Sequence, residues 1–152
     1  MRRRSLVALI AAGIAVFLLI SGLLARVFNA NGAEQTAITN LVKAEAAGDQ
    51  AAMLTRIQGC ALSPACRARV AQDSVNLKRP GAVAILELNP STGFALSGMT
   101  GTARVAWRAG SSLPVVQCVR VRRSGDVISG LHVALLELSA RIKTSADCPA
   151  RY

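Results

Sequence analysis

The chain has 152 residues, a formal charge of +10 and one histidine. Four of the basic residues lie within the first 26 positions, so residues 29–152 hold 14 basic and 8 acidic side chains, a moderate +6. Only three aromatic residues lie beyond residue 28 and no C-x₂-C spacing occurs, which argues against a nucleic-acid partner and against a zinc site.

The first predicted element is an apolar segment. Residues 6–25 carry no charge, three arginines precede them, and Arg26 follows. As a helix rising ~1.5 Å per residue, these twenty residues match the ~30 Å hydrocarbon core of a bilayer. Because basic flanks stay in the cytoplasm, the sequence predicts a cytoplasmic stub over 1–5, a single-pass transmembrane signal-anchor over 6–28, and a cell-membrane protein whose C-terminal domain lies outside.

A cleaved signal peptide, which would release a secreted domain, is the alternative. Its apolar region usually has ~7–15 residues and ends at a small-x-small site. Here the apolar run is longer, and cleavage after Ala25 or Ala33 would place Leu23 or Asn31 three positions before the cut. The retained anchor is therefore the favoured interpretation.

Residues 34–152 are predicted to form one domain that begins with helices. Residues 29–33 form a predicted linker, because Gly32 interrupts the helical pattern. Residues 34–47 have the apolar spacing of an amphipathic helix. Asp49 is a predicted N-cap for a short second helix. Ser63 followed by Pro64 predicts the start of a third helix, which runs to about residue 75.

Strands follow the helices. The pattern from residue 78 on predicts antiparallel strands over 82–88, 100–108, 113–123 and 127–142, with a short paired stretch at 94–96. Gly-containing turns separate them, including one at 124–126.

Four cysteines all lie beyond the apolar segment, and an even number in an extracytoplasmic domain predicts two disulfides. Three pairings are possible. The favoured one joins Cys60 to Cys66 and Cys118 to Cys148, because the first two share a short loop.

Residues 41–57, LVKAEAAGDQAAMLTRI, resemble the helix–Gly-Asp–helix opening of NTF2-like (SnoaL-like, cystatin-like cone) domains. The resemblance covers about residues 34–143. It implies an α+β fold in which an N-terminal transmembrane helix is followed by helices packed on a curved antiparallel sheet. The layout is also similar to that of actinobacterial envelope proteins, including Mce-associated membrane proteins.

NTF2-like enzymes place an acid–base pair inside a conical pocket, which makes His132 a candidate base. Its candidate partners are four side chains: Asp73, Glu87, Glu137 and Tyr152. No Ser-His-Asp set is recognisable, and residues 93–100 have a methionine where a phosphate loop needs lysine. No cofactor and no metal is therefore expected.

Arginines alternate with apolar residues on two predicted strands: Arg104 and Arg108 on one, Arg120 and Arg122 on the other. If the hairpin register puts them on one face, an acidic envelope protein, an anionic lipid or a polymer could dock there. A solvated edge is the alternative. The expected function is a non-catalytic binding or assembly module of the cell envelope, and the alternative is a pocket enzyme (isomerase, dehydratase or hydrolase type) that uses His132.

Overall fold

The computed structural model describes residues 2–91, 99–126, 130–143 and 146–149, with the backbone alone for 2–6, 8, 25–31, 126, 130 and 131. Helical segments come first and strands second. The helical segments are α1 (Arg2–Ala47), α2 (Gln50–Arg56), a 3-10 turn (Cys60–Leu62) and α3 (Pro64–Asn76). The strands are β1 (Val83–Asn89), β2 (Met99–Ala109), β3 (Val115–Asp126) and β4 (Gly130–Leu138). The α+β part of the predicted fold class is confirmed.

The transmembrane part of that prediction is wrong. Among the residues described, no helix has both the length and the apolar character needed to cross a membrane. The same finding contradicts the predicted single-pass signal-anchor. It also contradicts the predicted cell-membrane location, in which a cytoplasmic stub precedes a domain outside.

The linker predicted over 29–33 is also wrong, because α1 continues through it as one helix of 46 residues. A single glycine lowers helix stability by only ~1 kcal/mol relative to alanine, which the flanking helix tolerates. The Gly32 carbonyl also accepts a side-chain hydrogen bond from Thr36 Oγ1, one turn further along α1, at 2.9 Å.

Both predicted helix caps are confirmed. Asp49 Oδ1 accepts the Ala52 amide at 2.9 Å and so begins α2. Ser63 Oγ accepts the Cys66 amide at 3.3 Å, and Pro64 occupies the first turn of α3. Each cap satisfies an amide that the helix itself leaves without a partner.

The sheet is an antiparallel meander with strand order β1-β2-β3-β4. The first two strands differ from their predicted limits by one residue at each end. The last two differ more: β3 continues through the turn predicted at 124–126, and β4 ends at Leu138 rather than near residue 142. β3 is longer than predicted because Ser124 pairs with His132, which extends the ladder past Gly125. The stretch predicted at 94–96 lies outside the described residues.

The core lies between the helices and one face of the sheet, which we call the inner face. From α1 it includes Ile38, Leu41 and Val42, all fully buried. From the sheet it includes Trp107 and Val119, also fully buried. The opposite surface, the outer face, carries the side chains that alternate with these.

Two disulfides close the structure. Cys60 bonds to Cys66 and Cys118 to Cys148, with Cα separations of 5.2 and 5.7 Å. This is the pairing that the spacing favours. The first links the turn after α2 to the first turn of α3. The second ties the chain beyond β4 to the outer face of β3.

Candidate functional site

The strand register decides where the candidate arginines lie. Residues opposite one another in an antiparallel ladder share a face. Arg104 lies opposite Cys118, Thr102 opposite Arg120, and Thr100 opposite Arg122. Arg108 has the same parity as Arg104 on β2. All four arginines therefore lie on the outer face, and we call this set the arginine face: Arg104, Arg108, Arg120 and Arg122.

Two members of the arginine face have acidic neighbours. Arg104 Nη1 lies 3.8 Å from Glu87 Oε2, and Arg120 Nη1 lies 3.0 Å from Glu137 Oε2. The other two members, Arg108 and Arg122, are exposed and form no ion pair within the described part of the chain. The face therefore offers two guanidinium groups for an external anion, beside two that are internally paired.

His132 also lies on the outer face, opposite Ser124, and its side chain is exposed. A pocket base would need to face the interior and contact an orienting carboxylate. No carboxylate bonds to His132 in the part of the chain that the structure describes. Two of its candidate partners, Glu87 and Glu137, are bound to arginines instead, and Tyr152 is outside the described residues.

No family model, curated protein or solved structure matches this chain. The geometry of the two sheet faces is therefore the evidence for its function.

The inner face contains a chain of buried polar side chains. Trp107 Nε1 donates to Gln117 Oε1 at 2.9 Å, and Gln117 Nε2 donates to Glu45 Oε1 at 2.8 Å. The same amide also donates to the Ser139 carbonyl at 3.3 Å. All three linked side chains are fully buried, so the network joins α1, β2 and β3 inside the core.

Two carboxyl groups in this region have raised pKa values. Burial raises the pKa of Glu45 to about 8; the hydrogen bond from Gln117 opposes this, and the charge of Asp73 adds to it. Burial likewise raises the pKa of Asp73 to about 6, against the nearby Arg69 charge. Glu45 Oε2 and Asp73 Oδ2 are buried and have no hydrogen-bond partner among the described residues. A carboxyl with the pKa of Glu45 is largely protonated at neutral pH.

A second buried acid, Glu34, is neutralised differently. Its Oε1 accepts the Ser91 amide at 2.8 Å, and its Oε2 accepts Ser91 Oγ at 2.9 Å and Arg123 Nε at 2.7 Å. Arg123 Nη2 completes the ion pair. This cluster joins α1 to β3 and to the end of β1.

Among these interior groups the sequence predicts a role only for Asp73, as a candidate partner of His132, although it contains a signal for the others. Glu34 and Glu45 fall on the same helical stripe as Ile38 and Leu41, where an acid is unexpected. Similarly, Gln117 interrupts an inward-pointing series of valines on β3. Polar residues in an apolar pattern predict a buried network.

Large apolar side chains lie in the described interior. Trp107, Met53 and Ile57 are among the largest fully buried residues between helices and sheet. A cleft of about 280 Å³ lies between α1 and β1 and is lined by Gln35, residues 85–88 and Pro90. Among the described residues, no group of three His, Cys, Asp or Glu side chains could hold a metal ion.

Proposed function

We propose that the protein is a non-catalytic binding or assembly module that docks an acidic surface of another protein on its arginine face. The observation that carries the proposal is the β2–β3 register, which brings four arginines onto one side of the sheet. Arginine presents a planar fork that bonds carboxylates through two parallel hydrogen bonds. Two disulfides suit a compartment in which thiols are oxidised.

The pattern of charge favours a protein partner over an anionic lipid or polymer. Glu87 and Glu137 lie on the same face as the arginines that they pair with. A uniformly anionic surface would bring its negative charges close to these two carboxylates, which would repel it. A protein with a few well-placed acidic side chains can bind Arg108 and Arg122 and leave the paired groups undisturbed.

The outward position of His132 supports a binding role over the pocket enzyme. The resemblance to NTF2-like domains stays part of the proposal. It is supported by the Gly48-Asp49 junction between α1 and α2 and by the helices-then-meander order.

The test is binding of a labelled glutamate-rich peptide to the full chain, measured by fluorescence anisotropy. The variant R108S/R122S should weaken binding by about tenfold or more, because a charge-assisted hydrogen bond contributes ~1.5–3 kcal/mol and ~1.4 kcal/mol is a factor of ten. Both side chains are exposed, so the fold should be unaffected.

The matched control is R56S/R67S, which removes the same charge from exposed positions on the helices. It should bind the peptide within about twofold of wild type. Equal weakening by both variants would mean that net charge, rather than the arginine face, drives binding. Binding to anionic lipid vesicles or polyphosphate in the absence of peptide binding would contradict the assigned partner class.

A further inference from the structure

One edge of the sheet is open in the described part of the chain. The strand order places β1 at an edge, where its one partner strand is β2. The other edge strand, β4, is partly covered, because Ile57 forms a bridge with Leu135 and the Gln58 amide donates to the Leu135 carbonyl at 2.7 Å. No described segment pairs with β1 in this way. An open edge presents peptide groups to which a further strand can bond.

The hydrogen bonds to β2 show which peptide groups of β1 face the open edge. The Gly110 amide donates to the Ala82 carbonyl at 3.0 Å, so Ala82 points its peptide groups toward β2. In an antiparallel ladder, alternate residues point toward and away from the neighbouring strand. The register is regular from Val83 to Ile85, so these two residues point their N–H and C=O groups to the open edge. They supply the donors and acceptors for a further strand.

The cleft between α1 and β1 lies beside this edge. It has a volume of about 280 Å³ and is lined by Gln35, residues 85–88 and Pro90. Leu86, the extra residue of a β-bulge, contributes a side chain that is 47% exposed. Pockets for whole small-molecule ligands usually have ~300–1,000 Å³. The cleft is smaller than these, which suits one or two apolar side chains of a strand better than a small-molecule ligand.

The outer side of the same edge offers a positive charge. Ala84 lies opposite Arg108, and both side chains are exposed. Strands lie ~4.7–4.9 Å apart, so a strand added beside β1 would lie two spacings, roughly 9–10 Å, from β2. Because the Ala84 side chain is a single methyl group, Arg108 can extend across it and meet an acidic side chain of the added strand. Arg122 is on β3, one strand further from the edge.

We propose that the acidic partner binds as an extended strand added to the open edge of β1, with apolar side chains in the cleft and an acidic side chain on Arg108. This inference rests on the proposed function and names the form of the partner. Successive residues of a strand point to opposite faces, so the partner segment must alternate apolar and acidic residues. Strand addition takes its affinity from main-chain hydrogen bonds and its specificity from alternate side chains. The remainder of the partner is left to bind Arg122.

A second copy of β1 fits this edge less well than a separate acidic segment. The one acidic residue of β1, Glu87, is already bound on both oxygens. Its Oε2 lies 3.8 Å from Arg104 Nη1, and its Oε1 accepts Asn89 Nδ2 at 2.8 Å. A copy of β1 therefore brings no unpaired carboxylate to Arg108, whereas a partner strand with its own acid does.

The experiment measures the anisotropy of a labelled peptide in which glutamate alternates with valine, added to the full oxidised chain. Alternate residues of a bound strand point their N–H groups toward β1, so N-methylation of one alternate set removes the bonding donors and methylation of the other set leaves them. One methylated peptide should bind at least about tenfold more weakly than the unmethylated peptide, and the other within about threefold of it. Equal binding by the two methylated peptides would overturn the proposal.

Single arginine variants distinguish the edge from the centre of the arginine face. R108S should weaken binding of the unmethylated peptide by about five- to tenfold, because Arg108 lies one strand from the edge. R122S should stay within about twofold of wild type, because Arg122 is out of reach of a strand at that edge. Each variant removes the same charge from the same face, so each is the control for the other. Equal weakening would place the peptide across the face and overturn the edge proposal.

Two exposed leucines test the use of the cleft. L86S removes an apolar side chain from the cleft and should weaken peptide binding by about three- to tenfold. L62S removes a leucine that is 89% exposed on the 3-10 turn, away from β1, and should bind as wild type does. Circular dichroism establishes that each variant is folded. Equal binding by L86S and L62S would overturn the proposal. Self-association in analytical ultracentrifugation without peptide binding would assign the edge to a second copy and overturn it as well.

The two proposals fail differently. If R108S/R122S binds the glutamate-rich peptide as tightly as wild type, the proposed function is wrong, and the edge proposal is wrong with it. If R108S/R122S weakens binding but the two methylated peptides bind alike, only the edge proposal is overturned.

Discussion

Among the described residues, Glu45 has the largest rise in pKa caused by burial. Its pKa is about 8 in the folded chain against 4.5 in the unfolded one, so the folded state binds more protons between these values. Stability is therefore highest at low pH within this window and falls as pH rises through about 8. The variant E45Q keeps a hydrogen-bonding amide in place of the carboxyl group. We expect it to remove most of this decline in urea unfolding measured from pH about 5 to about 9.

The control is E87Q, because the Glu87 carboxylate is more than half exposed and its partners among the described residues, Arg104 and Asn89, lie on the outer face. It should retain the wild-type decline. Asp73 adds a smaller decline in the same direction as pH rises through about 6. An E45Q protein whose stability still falls between about pH 6 and 9 would contradict the assignment of Glu45 as the main buried titrating group.

Arg123 gives a second prediction at this scale, because it neutralises a fully buried carboxylate. Replacing it by Met leaves Glu34 charged inside the core, which costs about 3–5 kcal/mol for a buried pair. The double variant E34Q/R123M should recover most of that loss, since no charge is then buried. The neighbouring R122M, on the outer face, should change stability by less than about 0.5 kcal/mol. The measurement is urea unfolding, and similar losses for R123M and R122M would contradict the buried-pair interpretation.

At the scale of elements, local signals specified most of what the sequence predicts correctly. The caps at Asp49 and Ser63 depend on residues three positions apart, and strand alternation depends on neighbours. The sequence predicts a break at Gly32, but one glycine does not interrupt a helix that is stabilised on both sides. Alternation along each strand does not determine the register between two strands, so the sequence alone could not show that the four arginines share a face. The Glu34–Arg123 pair joins residues 89 positions apart, so no local pattern contains it.

The two disulfides make a prediction at the same scale. Cys118–Cys148 closes a loop of 30 positions and Cys60–Cys66 one of 6. Chain entropy then assigns roughly 3.5–4 kcal/mol to the first and roughly 2–2.5 kcal/mol to the second. In urea unfolding, C118A/C148A should be destabilised more than C60A/C66A. The reverse order would mean that native contacts around Cys60, rather than loop length, dominate.

At the scale of the whole molecule, charged groups lie in two environments. The Glu34 carboxylate, paired with Arg123, is buried against the inner face of the sheet, whereas Arg108 and Arg122 are exposed on the outer face. Salt screens exposed charges strongly and buried ones weakly. Stability and partner binding should therefore respond differently to ionic strength.

Between ~0.05 and ~0.5 M NaCl the Debye length falls from roughly 14 Å to roughly 4 Å. Glutamate-rich peptide affinity should then fall by about tenfold, whereas the urea midpoint should hardly change, because the Glu34–Arg123 pair is shielded from ions. R108S/R122S should lose less affinity over the same range, since it has fewer exposed charges to screen. A peptide affinity that does not depend on salt would mean that the outer-face charges do not drive binding. A urea midpoint that falls in parallel with the affinity would mean that salt affects stability and binding through the same charges.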